Sequence, residues 1–178
     1  MDNRLGAFIA LEAARLVAEA GGAPGAVAAC GVVQEEITFG GARTTAYGLQ
    51  PDVAIVVDVT HATDAPGIEV KALGKHELGS GPVIDRGSTI NPRVFELLYE
   101  TAEAEDIPFT VEAHAGRTGT DADAVHLSKA GVPTGVVSIP LRYMHSPVEM
   151  MQLDDVHACA RLIAAFAQRL GPATSFER

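Results

Sequence analysis

The sequence predicts an α/β fold: a mixed, largely parallel sheet flanked by helices. Three observations carry that reading. Short aliphatic runs recur at 27–33, 53–59 and 133–139. Stretches with helical periodicity alternate with them through much of the chain. No internal repeat, low-complexity tract or linker interrupts the 178 residues, a length that suits one domain, 1–178, with a sizeable core.

The elements follow in order. Leu5, Phe8, Ile9, Leu16 and Val17 trace the apolar face of a helix from about Asn3 to Ala20, stopped by Gly21-Gly22. Val27 to Val33 reads as a strand, and Ala42 to Tyr47 as a short helix. Val53 to Val59 is apolar on both faces until Asp58, the signature of a buried central strand. Ile68 to Leu73 and Pro82 to Ile84 are weaker strands. Asn91-Pro92 is a helix start, a capping side chain followed by Pro at the first helical position, and that helix reaches about Glu105. Phe109 to Glu112 forms a short strand. Thr120-Asp121-Ala122-Asp123 resembles a capping box opening a helix that ends at Gly131. Pro133 to Ile139 is the third core strand. A last helix, capped by Asp154, carries the stripe Val156, Cys159, Ala160, Ile163, Phe166, Ala167 and Leu170.

Charge and composition exclude some functions. A net charge of −10 argues against nucleic acid and against anionic membranes. No apolar run is long enough to span a bilayer, and the start lacks the order of a signal peptide, so a cytoplasmic location is expected. Cys30 and Cys159, both in apolar surroundings, read as two buried thiols.

The residues that carry chemistry sit where strands end. Glu35-Glu36 follows the first run; Asp58 closes the second; His145 lies in the loop after the third. On an extended chain, Glu35 and Glu36 would face opposite sides, one toward a cation and the other toward substrate. The plainer alternative is a solvated acidic turn. Asp58 is either a strand-end carboxylate capping a loop or a metal ligand. His145 stands as a terminal ligand. His61 is a supporting or loop residue, and His114 precedes the Gly116–Gly119 turn. His76, His126 and His157 read as surface or helix-face residues. Asp2, by spacing alone, is an end-of-chain carboxylate.

Together, Asp2-Asn3-Arg4-Leu5-Gly6, Val33-Gln34-Glu35-Glu36, Gly40-Gly41-Ala42-Arg43, Pro51-Asp52-Val53 on to Asp58-Val59-Thr60-His61-Ala62, Gly116 to Ala122, and Ser138 to Glu149 with its Arg142-Tyr143-Met144-His145-Ser146-Pro147 segment resemble the catalytic domain of the glutamyl/tetrahedral (TET) aminopeptidases. These are co-catalytic two-metal exopeptidases, and some members carry endoglucanase labels. The resemblance implies a zinc-exopeptidase-like fold and release of N-terminal residues from peptides. It implies that Asp2 bridges two divalent ions, zinc or cobalt. Glu35 is then the general base, Glu36 and His145 hold one ion, and Asp58 holds the other. It also implies an upstream segment with a further His, the partner of Asp58, and an inserted dimerisation domain. The sequence holds neither, so one ion site is a ligand short. The expectations are a metallo-aminopeptidase domain in C-terminal part, or a catalytically inactive metal-binding or assembly fragment. The expected partners are a peptide substrate and either a homo-oligomer or a complementing N-terminal segment.

Overall fold

The computed structural model describes residues 1–176. Its elements run α1 (Arg4–Glu19), α2 (Glu35–Thr38), α3 (Gly40–Leu49), β1 (Ala54–His61), α4 (Val70–Leu73), β2 (Val83–Gly87), α5 (Pro92–Ala104), β3 (Thr110–His114), α6 (Ala122–Val125), β4 (Thr134–Leu141) and α7 (Leu153–Arg169). The sheet order is β1-β4-β2-β3. β1 runs parallel to β4, and β2 parallel to β3; β2 and β4 meet antiparallel. This is the expected mixed α/β architecture.

Side-chain alternation sorts the sheet into two unlike faces. Ile55, Val57 and Val59 of β1, Val137, Ile139 and Leu141 of β4, and Ile84 of β2 join one aliphatic core with α1, α5 and α7. The opposite face is thinner. There, Ala54 and Val56 pack on Ala42 and Ala46 of α3, with Val125 and Val132. Farther along this second face the side chains turn polar: Asp58, Thr60, Asp85, Glu112 and Ser138 are all buried.

Helix caps explain the two best-read boundaries. The Asn3 side chain accepts the amide of Gly6 at the start of α1. Asn91 accepts those of Arg93 and Val94, with Pro92 opening α5.

Several expectations are corrected. Residues 27–33 form no strand. An apolar run becomes a strand only with a neighbour to complete its ladder, and this one has none among the described residues; Val32 packs on Ala54 and Val56 instead, while Val33 is 67% exposed. β1 is an edge strand, not a central one, because β4, buried at all eight positions, takes the middle. Residues 70–73 coil into one helical turn that ends at Gly74, with φ of +105°. α6 stops at Val125, short of Gly131, while Thr120 accepts the Ala122 amide at its start. α7 opens at Leu153, with Asp154 and Asp155 in its first turn. Cys30 is exposed; Cys159 is buried as expected. His76 is a core residue, only 1% exposed, with its ring nitrogens on Thr110 Oγ1 and the Leu73 carbonyl. Among the described residues no helix is long and apolar enough to cross a membrane.

Candidate metal centre

The parallel pairing of β1 with β4 brings their C-terminal ends side by side, with Asp58 opposite Ser138 and His61 opposite Leu141. Ligands in such sheets gather beyond those ends. Asn3 ties the start of α1 to the same place. Its Nδ2 donates to the Val57 carbonyl at 2.8 Å and to Asp58 Oδ1 at 3.0 Å. Gly6 permits the approach, since a Cβ there would lie 2.7 Å from the Val57 carbonyl oxygen. Asp2 is therefore carried to the strand ends by its neighbour.

Glu35 and Glu36 arrive differently from the expectation. Gln34 has φ of +68°, which turns the chain abruptly into the single turn of α2. The two carboxylates thus leave adjacent positions of a helical turn, not opposite sides of a strand. Gly41 lets α3 close on this corner: its amide donates to the Val33 carbonyl at 2.9 Å, and a Cβ would lie 2.4 Å from the Val33 nitrogen.

His145 sits on a loop closed by paired amide–carbonyl bonds between Arg142 and Met150, at 2.9 and 3.1 Å. Arg142 also pairs with Asp64. Inside the loop His145 has φ of +61°, a conformation non-glycine residues seldom take. Glu149 holds it, accepting the His145 amide at 3.1 Å with one oxygen and the Asp2 amide at 3.0 Å with the other. The same carboxylate pairs with the Met1 amino group.

These placements bring Asp2, Glu36 and His145 together. His145 Nε2 lies 3.1 Å from Asp2 Oδ2 and 3.6 Å from Glu36 Oε2. One ligand atom from each residue falls within 4.8 Å of the other two. Two carboxylates and an imidazole are a donor set for a divalent transition cation, with open positions left for water or substrate. The residues fit one ion. Asp58 stands apart from that trio. Among the described residues it belongs to no group of three donors, and its Oδ1 accepts the Val59 amide at 2.8 Å as well as Asn3.

The centre concentrates negative charge. Burial pushes the Asp58 carboxyl up to about 8. Glu35 is pushed up to about 7, by burial first and then by the charges of Asp121, Glu36 and Asp2. Burial likewise raises Asp121 to about 6. Asp2 is raised by burial and by Glu36, against the opposing pull of His145. A cation bound among these acids would favour their ionised forms.

Three neighbours escaped the sequence reading. Asp121 looked like part of a cap; instead its Oδ1 is buried with no hydrogen-bond partner. Thr120 Oγ1 accepts the Ala122 amide at 3.2 Å at the start of α6, and Asp123 closes the preceding turn by accepting the amides of Thr118 and Gly119, both at 3.0 Å. Asn3 was seen only as a helix start. Glu149 carried one available signal, its place four residues after His145 on a tight Ser-Pro loop. His61 is exposed.

Comparison with known proteins agrees with this geometry. The sequence pattern of the M42 glutamyl aminopeptidases matches residues 1–162. A lysyl aminopeptidase of Pyrococcus furiosus is 40% identical over 172 residues, which is 97% of this chain and 48% of that protein. The crystal structure of a TET aminopeptidase from a marine sediment Thaumarchaeota archaeon superposes with a TM-score of 0.89 at 35% identity, covering 96% of this chain and 48% of that one. The TET1 peptidase of Pyrococcus horikoshii, described as assembling into a tetrahedron or a large octahedral shell, gives 0.63 at 27% identity over 78% of this chain and 40% of its own. The chain spans about half the length of the relatives it matches. With the match running through both the acidic pair and the His145 loop, this chain belongs to the M42 glutamyl aminopeptidase family.

Proposed function

We propose that this chain is a catalytic-type domain, 1–178, of a metal-dependent aminopeptidase that removes N-terminal residues from peptides. One observation supports this most: the convergence of Asp2, Glu36 and His145 from three separate segments onto one point. These three would hold one zinc or cobalt ion. A second ion, shared by Asp2 with Asp58, would have two ligands from this chain, below the usual three of a catalytic zinc.

When bound, a divalent cation supplies Lewis-acid polarisation of the scissile carbonyl and acidification of water. The chain's own part is proton transfer and binding. Glu35, pushed up to about 7, is suited to take a proton from the attacking water and return it to the leaving amine near neutral pH. The acidic rim attracts the protonated N-terminus of a peptide.

A homo-oligomer or a complementing N-terminal segment is the partner we propose. Among the described residues the outer edge of β1 has no strand partner, and Val33 and Ile37, in the segment that follows Val32's packing on Ala54 and Val56, are 67% and 76% exposed. An open edge flanked by apolar side chains is a pairing surface. The two-ligand state of the Asp58 side favours a second reading, a catalytically inactive metal-binding or assembly fragment.

Metal titration of the purified chain, with turnover of aminoacyl chromogenic substrates, separates the readings. Turnover lost in Glu35→Gln supports the peptidase. One tight equivalent without turnover supports the fragment. No tight equivalent overturns both.

A further inference from the structure

A second group of ligating side chains lies away from the candidate centre, on the polar stretch of the thin face. Asp85 on β2 and Glu112 on β3 stand in register, and His114 ends β3 opposite Gly87. One ligand atom of each lies within 4.8 Å of the other two. His114 Nε2 is 3.2 Å from Asp85 Oδ2.

Unlike an exposed acidic patch, this group is inside the protein. Asp85 is 2% exposed and Glu112 5%. Among the described residues neither carboxylate pairs with a Lys or Arg; the half-buried imidazole of His114 is the one counter-charge to Asp85. Two buried carboxylates against at most one positive charge leave a net negative charge in the interior, which is costly. A divalent cation with two carboxylates and a neutral imidazole makes the group electroneutral.

The surroundings are built to aim these donors. Thr60 Oγ1 donates to Glu112 Oε2 at 2.6 Å, taking that one oxygen. Ser138 Oγ stands 3.4 Å from both oxygens of Asp85. Hydroxyls that orient carboxylate ligands are the usual outer support of a metal site. These partners come from β1 and β4, so all four strands contribute.

We propose that Asp85, Glu112 and His114 form a structural site for a divalent transition cation, separate from the Asp2–Glu36–His145 centre. The imidazole disfavours a purely oxygen-liganded calcium or magnesium ion and favours zinc. The bound ion pins the C-terminal ends of β2 and β3. It anchors the base of the segment that runs from His114 to Asp121, which Ser88 already holds through the Ala115 and Gly116 carbonyls.

The test uses the full chain carrying Glu36→Gln and His145→Ala, which disables the candidate centre. Zinc is titrated in a chelator-competition assay, and the His114 ring resonance, assigned with His114→Gln, is followed by NMR. The expected result is one remaining equivalent, a shifted His114 resonance, and roughly tenfold or greater weakening in both Glu112→Gln and His114→Gln. Circular dichroism checks that both variants are folded; the resonance shift in the parent chain needs neither of them. No remaining equivalent, an unmoved His114 resonance, or binding that survives both substitutions overturns the proposal and leaves a cluster held by a shared proton. None of these outcomes bears on the peptidase reading, since the tested chain lacks that centre.

Discussion

His145 Nε2 lies 3.1 Å from Asp2 Oδ2, although the two residues are far apart in the sequence. Asp2 is carried by Asn3, whose side chain is fastened to β1. His145 is held at positive φ by a closed loop. Their approach leaves a carboxylate and an imidazole facing each other beside Glu36. Replacing His145 with Ala, or Asp2 with Asn, is expected to weaken cation binding by more than about tenfold, since each removes one of three donors. Competition titration with a chromophoric chelator reads the change. Unaltered affinity in both variants would remove the centre.

Glu35 is expected to behave differently from its neighbour. It is pushed up to about 7 by burial and by Asp121, Glu36 and Asp2, and it does not belong to the ligand trio. Glu35→Gln should lower kcat by roughly 10²–10⁴-fold in any form of the chain that turns over, the usual loss for a proton-transfer group. Cation affinity should stay within a few-fold. Glu36→Gln should instead reduce affinity and activity together. Parallel titration and kinetics of the two variants separate a base from a ligand; matching losses in both would rule out the assigned division.

Glu149 ligates nothing in this arrangement, yet one carboxylate accepts the amides of Asp2 and His145. It couples the ends of two ligand-bearing segments. Loss of such outer support commonly costs 10–100-fold in metal affinity. Glu149→Ala is expected to fall in roughly that range, with Glu149→Gln milder because one amide acceptor remains. The chelator competition that serves His145 applies again. An effect on stability alone, with affinity intact, would make Glu149 merely a loop residue.

Much of this was legible in the sequence, and the exceptions share a cause. Asn91-Pro92 and Asn3 announce their helices because capping is local. The run at 133–139 declares a buried strand because β4 is enclosed on both faces. The run at 27–33 is just as apolar, yet strand formation depends on a neighbour, and apolarity alone does not supply one. The same limit made β1 look central. Glu35, Glu36, Asp58 and His145 were visible as polar residues closing apolar runs. Asp2 was not; only its resemblance to a known pattern singled it out, because its position is set through Asn3 and β1. Asp85, Glu112 and His76 were missed for a related reason. Their burial is decided by which face of the sheet they share, and a one-dimensional pattern of mixed polar and apolar residues does not reveal it.

Asp155 offers a stability test at a residue that belongs to neither metal cluster. It is 1% exposed, in the first turn of α7, and accepts the amides of Gly79 and Gly81, both at 2.8 Å. It stitches the loop before β2 to the helix N-terminus, where a carboxylate also meets a favourable dipole. Asp155→Ala leaves both amides without their acceptor and is expected to cost about 2–4 kcal/mol. Asp155→Asn, which keeps one acceptor oxygen, should cost less. Urea denaturation measures both; a loss below about 0.5 kcal/mol for the Ala variant would mean that water replaces the carboxylate freely.

The cation-free chain should lose stability as pH rises, and Asp58 identifies the cause. Burial pushes its carboxyl from 3.8 in the open chain to about 8 in the fold. Between those values the folded state holds a proton that the unfolded state has released. Stability is therefore fully present below about pH 4 and declines as pH rises toward 8, by up to about 1.4 kcal/mol per pH unit for one proton. Glu35, raised to about 7, and Asp121, raised to about 6, add to the decline at lower pH. Asp58→Asn keeps an acceptor for the Val59 amide but has no proton to lose, so its stability should fall less steeply between pH 5 and 7. Urea midpoints in the presence of chelator, taken at pH 5, 6, 7 and 8, give the two slopes. Zinc added at pH 8 should restore stability in the parent chain, because a cation takes the place of the proton among these acids. Equal slopes in the parent and Asp58→Asn chains would show that Asp58 ionises in the fold as it does in water, and that the crowding of charge around the candidate centre is relieved without a cation.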